Sequence, residues 1–141
     1  MYKSIVHEWF DQIWNKGNAD AVHRLLAPDG VIHNLAQDGK DSTGPAEFLL
    51  FHKRFREAFP DAQVVVHESA AEGDIVSGRW TATATHTGDG LGFPPTDKQV
   101  SFGGMSFARV KDGRIIEGWN LWDAAAMQAQ LGFLSTPPAR H

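Results

Sequence analysis

The stretch QVSFGGMSFARVKDGRIIEGWNLWD, Gln99 to Asp123, decides the fold. Two runs rich in β-branched and aromatic residues, Gln99 to Val110 and Arg114 to Asp123, flank Asp112-Gly113, a dipeptide that suits the left-handed turn of a β-hairpin. Successive strand side chains point to opposite faces of a sheet, so the pairing fixes what each face carries. With a three-residue loop at the turn, Ser106 and Asn120 share a face with Gly104, Gly118 and Trp122. Met105, Phe107, Trp119 and Leu121 then take the other face. A two-residue loop shifts this pairing by one.

Upstream of this hairpin, Val64 to Ser69 and Asp74 to Thr87 read as two more strands that turn at Gly73-Asp74. Over Gly78 to His86 the set Trp80, Ala82, Ala84 and His86 alternates with Thr81, Thr83 and Thr85, which points the first set inward. A Gly/Pro loop, Gly88 to Lys98, leads on to Gln99. Further upstream, Ile5, Val6, Trp9, Phe10, Ile13 and Trp14 recur at three-to-four spacing and predict a helix from Ser4 to Lys16. Ala21, Val22, Leu25 and Leu26 predict a second short helix that stops before Pro28-Asp29-Gly30, followed by a strand from Val31 to Leu35. Gln37 to Thr43 is polar and turn-rich. Gly44-Pro45 opens a third helix, striped by Phe48, Leu49, Phe51, His52, Phe55 and Phe59 and closed by Pro60. A last helix, Asp123 to Leu131, stops at Gly132.

Helices followed by a run of strands give an α+β fold, a curved antiparallel sheet covered by three to four helices with an internal cavity. The 141 residues fit one domain, 1–134, with 135–141 as a flexible C-terminal tail. Cysteine is absent, which removes disulfide scaffolds, thiolate metal sites and cysteine nucleophiles. The net charge of −4 gives no general attraction to phosphate, so no nucleic-acid partner is expected. No run is apolar enough for a membrane span, and the N-terminus MYKSIVHEWF lacks a leader pattern, so the cytoplasm is the expected location. Five Trp and nine Phe against one Tyr bias the interior toward apolar rings, either as packing or as the wall of a pocket for a flat ligand. The seven histidines show no metal-ligand spacing, and neither metal nor cofactor is expected. Gly88-Asp89-Gly90-Leu91-Gly92 superficially looks like a nucleotide loop, but it joins two strands with no helix after it.

Several segments together resemble a known family. Trp14-Asn15-Lys16-Gly17, Ala27-Pro28-Asp29, Thr43 to Phe48, Gly92-Phe93-Pro94-Pro95-Thr96-Asp97 and Arg109 to Ile115 are similar to the SnoaL-like polyketide cyclases, over about Ser4 to Gly132. The resemblance implies the nuclear-transport-factor-2-like cone, usually oligomeric, and a cofactor-free intramolecular aldol condensation that closes a ring on an aromatic polyketide ester. It also implies an acid/base aspartate eight residues after the hairpin Asp, and a supporting histidine six residues before it. Counted from Asp112, these positions hold Asn120 and Ser106. A further polar position falls on Gly104, and the family's asparagine after the first helices falls on Asn34, or on His33 with a one-residue shift.

A carboxylate in an apolar pocket can have its pKa raised toward neutrality, whereas an amide cannot take a proton. Asn120 is thus expected to orient or stabilise, and His33, His86 and Asp123 are the candidates for the base. Trp14, Asn34, Phe51, Phe55, Trp80 and Trp122 are the candidate substrate contacts. Plainer roles stand beside these. His86 can simply bond the following loop, His33 and Asn34 can open a turn, Asp123 can cap the last helix, and the rings can be core. The expected ligand is a small, flat, hydrophobic aromatic carbonyl compound. The alternatives are a non-catalytic binding or assembly module of the same fold, or another reaction such as epoxide opening or cofactor-independent hydroxylation. The apolar face of Met105, Phe107, Trp119 and Leu121 predicts a homodimer through the sheet.

Overall fold

The computed structural model describes residues 3 to 133; the domain boundary at 134 and the tail 135–141 lie outside the described residues. The first helix, α1 (Lys3–Glu8), widens into a π-helical segment, Trp9–Asn15, in which Lys16 N–H donates to the carbonyl of Asp11. Helix α2 (Ala19–Leu25) is capped by Asn18, whose side chain accepts from Asp20 N–H. Strands β1 (Leu26–His33) and β2 (Asp41–Thr43) lead into α3 (Gly44–Ala58). Then follow β3 (Gln63–Glu72), β4 (Ile75–Thr85), β5 (Gln99–Lys111), β6 (Arg114–Trp122) and α4 (Ala124–Leu131). No described helix is long and apolar enough to cross a membrane.

The six strands form one curved sheet in the order β2-β1-β6-β5-β4-β3. All neighbours are antiparallel except β1 and β6, so the α+β class is as expected and the sheet is mixed. Two expected boundaries are corrected. Leu26 belongs to β1, not to the second helix, and pairs with Ile115. The register then slips across Pro28 to Gly30 before Val31 meets Glu117, because proline cannot donate to a ladder on an internal strand. The strand ends at His33, not Leu35, because Asn34 adopts φ 60°. Strand β2 lies inside the segment read as turn.

The central hairpin reaches the expected faces by another route. Its turn has two residues, Asp112 and Gly113, both at positive φ, with Lys111 opposite Arg114. A bulge then shifts the ladder between Arg109 and Val110, so that Ser106 still pairs with Asn120 and Gly104 with Trp122. The concave face meets the helices in one core that includes Ile13, Val22, Phe48, Phe55, Phe59 and Phe102. The caps follow local chemistry. Glu47 Oε1 accepts from Thr43 N–H at the start of α3, and Asp123 Oδ1 accepts from Ala126 N–H at the start of α4. Asp123 is therefore a helix cap, outside the cavity lining.

Candidate functional site

Between the helices and the concave face lies a cavity of about 100 Å³. Its wall is a continuous set of rings. Trp14 packs edge-on to Phe55 (5.5 Å between centroids) and Phe51 (6.1 Å), Trp122 packs on Phe102 (5.2 Å), and Phe10 on Trp80 (5.5 Å). Of the expected contacts, Trp14, Phe51, Phe55, Trp80 and Trp122 line it, as do Ser106 and Asn120. The lining residues include no ionisable side chain.

The polar corner is built by cross-strand pairing. Ser106 on β5 stands opposite Asn120 on β6, and its hydroxyl donates to Asn120 Oδ1 at 2.7 Å. From β4, Trp80 Nε1–H donates to Ser106 Oγ at 3.1 Å. The indole reaches across because residue 104 is glycine. A Cβ there would sit 2.4 Å from Trp80 Cζ2 and 2.7 Å from Trp122 Cβ. The place where the family resemblance expects a further polar side chain is thus filled by the Trp80 ring.

The structure does not bring His33 and His86 to this corner. On β1, Ile32 faces the cavity, so strand alternation turns His33 to the outer face. There its Nδ1 lies 2.8 Å from Asp41 and its Nε2 2.7 Å from Glu117, and the ring stacks on Trp119. Hydrogen bonds to Glu117 and then Asp41 hold its pKa above the ordinary value. His86 has the expected inward direction but sits at the strand end, fully buried against Phe59 and Phe93 and outside the cavity lining. Thr96 N–H donates to its Nδ1, which pins the Gly/Pro loop, and burial lowers its pKa. Asn34 also stands behind the wall. Its Nδ2 donates to the backbone carbonyl of Asn120, while its Oδ1 accepts from Gly39 N–H.

Three supporting residues escaped the sequence reading. Gln37, at φ 58°, donates to the Asn120 carbonyl and accepts from Trp122 N–H, so it fixes the end of β6 from a loop. His52 Nε2–H donates to the carbonyl of Ile13 (2.7 Å) and Arg56 to that of Trp14 (2.8 Å), one helical turn apart on α3. These bonds satisfy the orphan carbonyls that end the first helix and hold Trp14 in the wall. Burial lowers the pKa of His52, keeping it neutral. The i,i+4 spacing of His52 and Arg56 was the available signal.

Gly88 and Gly90 of the 88–92 loop serve packing against a helix. Thr87 and Gly88 N–H groups donate to the Ala58 carbonyl, and a Cβ on Gly88 or Gly90 would sit 1.7 Å from the Glu57 or 2.1 Å from the Arg54 carbonyl oxygen. The loop therefore faces the negative end of α3, which repels phosphate. Among the described residues no group of three or more His, Asp or Glu is arranged to hold a metal ion.

This architecture matches a known family over most of its length. The sequence model of the SnoaL-like polyketide cyclases matches residues 4–131. The chain belongs to the SnoaL-like polyketide cyclase family. Among solved structures, this SnoaL-like chain is similar to AclR, a candidate hydroxylase from Streptomyces galilaeus, with 29% identity over 96% of this chain and 87% of that one (TM-score 0.83). It is similar to IdmH, a candidate polyketide cyclase from Streptomyces antibioticus, with 31% identity over 92% and 96% (TM-score 0.79). It also resembles a candidate SnoaL-like polyketide cyclase from Jannaschia sp. CCS1, with 26% identity over 96% and 92% (TM-score 0.80). No curated protein matches the chain.

Proposed function

We propose that the protein holds a flat, hydrophobic, polyketide-like carbonyl compound in the cone, with Asn120 standing where relatives place a proton-moving aspartate. One observation carries this reading. The cavity wall is aromatic and aliphatic, Ser106 and Asn120 supply its polar side chains, and none of the lining side chains ionises. Such a site binds and orients by burial and hydrogen bonding, and it supplies no proton acceptor of its own. As it stands, the space suits about one aromatic ring. A larger ligand must displace the half-buried Trp14, Phe51 and Trp122.

Cofactor-free aldol ring closure is the second reading. It is supported by family membership and by the Asn120 amide, which suits stabilisation of an enolate oxygen rather than removal of a proton. A relative described as a hydroxylase beside others described as cyclases shows that the fold alone does not choose the reaction. The test incubates wild-type protein and the Asn120→Asp variant with an aromatic polyketide ester, reading tryptophan fluorescence for binding and absorbance for ring closure. Binding by both with turnover only in the variant supports the first reading. Turnover by wild type supports the second, and binding by neither overturns both.

The proposal includes a homodimer through the outer sheet face. Met105 (59% exposed) pairs with Leu121 (71%), and Phe107 (55%) with Trp119 (37%), forming one patch on β5 and β6. A contiguous apolar patch of this kind marks an interaction site, and a two-fold axis pairs it with itself.

A further inference from the structure

We infer that Ser106 sets the hydrogen-bond polarity of the cavity, making it select ring compounds that carry an acceptor over rings of the same shape that carry a donor. The inference rests on the ring-binding reading above and deepens it.

An indole N–H donates and cannot accept. At 3.1 Å it occupies one of the two lone pairs of Ser106 Oγ, and the single hydroxyl hydrogen must find an acceptor of its own. Among the described residues that acceptor is Asn120 Oδ1, 2.7 Å away. The direction of donation therefore runs from Trp80 through Ser106 to Asn120. The amide must keep its oxygen toward the serine, and its two Nδ2–H donors, without a partner among the described residues, are left for whatever fills the space. Turning the amide over would set Nδ2 against Ser106 Oγ and leave the hydroxyl hydrogen without an acceptor. A ligand carbonyl meets the corner as it is built, whereas a ligand N–H meets two donors and must force that reversal. One hydrogen bond forgone corresponds to a preference on the order of tenfold. The hydroxyl hydrogen needs that acceptor with or without the indole, so the serine is what the polarity requires. Ser106 is thus a positioning residue that acts through Asn120.

Three single-ring probes of similar size separate the possibilities by calorimetry on the full chain: pyridine, an acceptor only; pyrrole, a donor only; and benzene, neither. Wild type is expected to bind pyridine about tenfold more tightly than pyrrole. In Ser106→Ala the ratio of the two affinities falls to within about twofold, because the amide is then free to turn, whereas in Ser106→Thr, which keeps the hydroxyl, it is retained. The ratio is taken within each protein, so a general loss of affinity cancels, and unfolding curves establish that the variants fold. A wild type that binds benzene but does not distinguish pyridine from pyrrole overturns the polarity inference and leaves ring binding intact, as does a preference that survives in Ser106→Ala or falls equally in Ser106→Thr. Failure of all three probes to bind wild type overturns the ring-binding reading and this inference with it.

Discussion

Ser106 Oγ and Asn120 Oδ1 stand 2.7 Å apart across β5 and β6, and the bulge near Arg109 is what lets them meet. With a two-residue turn and no bulge, the pairing would slip by one and set a different face against Ser106. The contact also depends on what lies beside it, since Gly104 on β5 leaves the volume through which the Trp80 indole reaches the serine.

Gly104→Ala is therefore expected to cost about 1 to 3 kcal/mol, because the added methyl must displace the Trp80 ring or the Trp122 Cβ, both of them packed. Urea unfolding measures the loss. A change below about 0.5 kcal/mol, the usual range for an inconsequential site, would show that the ring moves freely.

The aromatic wall was legible because its periodicities are simple: Trp14, Phe51 and Phe55 repeat at helical spacing, and Trp80, Ala82 and Ala84 alternate with threonines. The pocket side of Ser106 and Asn120 was also legible, though the assumed three-residue loop stood in for a shorter turn plus a bulge. His33 was misplaced because Val31-Ile32-His33 offers too short an alternation to show which side Ile32 takes. Asn34 and the polar run from Gln37 read as turn, but nothing local announces the bonds that Gln37, at positive φ without being glycine, makes to the end of β6. Asp41-Ser42-Thr43 pairs through its backbone and carries no apolar pattern that would mark a strand.

His33 predicts a stability change that sets in as pH rises past the ordinary histidine value of about 6.5. Its folded pKa is raised by Glu117 and Asp41, so its contribution is complete below the unfolded value of about 6.5 and is lost as pH rises through the folded pKa. Melting temperature should fall over that window in wild type, and the slope should flatten in His33→Gln. An imidazole resonance of His33 titrating below 6.5 would contradict this assignment.

His52 and His86 act in the opposite direction. Burial lowers both pKa values, so the stability they contribute is present above about pH 6.5 and is lost as pH falls through their folded pKa values. His52→Ala is expected to cost about 2 to 4 kcal/mol, since it opens a gap beside Trp14 and strips the Ile13 carbonyl of its partner. His52→Gln, which can still donate, should recover part of this. If alanine and glutamine prove equally costly in urea unfolding, the hydrogen bond is not what the ring supplies.

The outer face gives the last expectation. Leu121 is 71% exposed and directly opposite Met105, with Phe107 and Trp119 as the next pair along the same two strands. In a monomer none of these four side chains has a core to gain, so replacing Leu121 by aspartate should leave the fold intact and cost little. In a dimer formed through this face the symmetry axis brings each patch against its copy, so one substitution introduces two carboxylates into the same apolar contact. Each must then lose water without gaining a partner, and association should weaken by several orders of magnitude in Kd. Light scattering at micromolar concentration should accordingly read a dimer for wild type and a monomer for Leu121→Asp, with the two proteins unfolding alike when diluted. A wild type that is monomeric at that concentration, or a variant that stays dimeric, would remove the sheet face from the assembly.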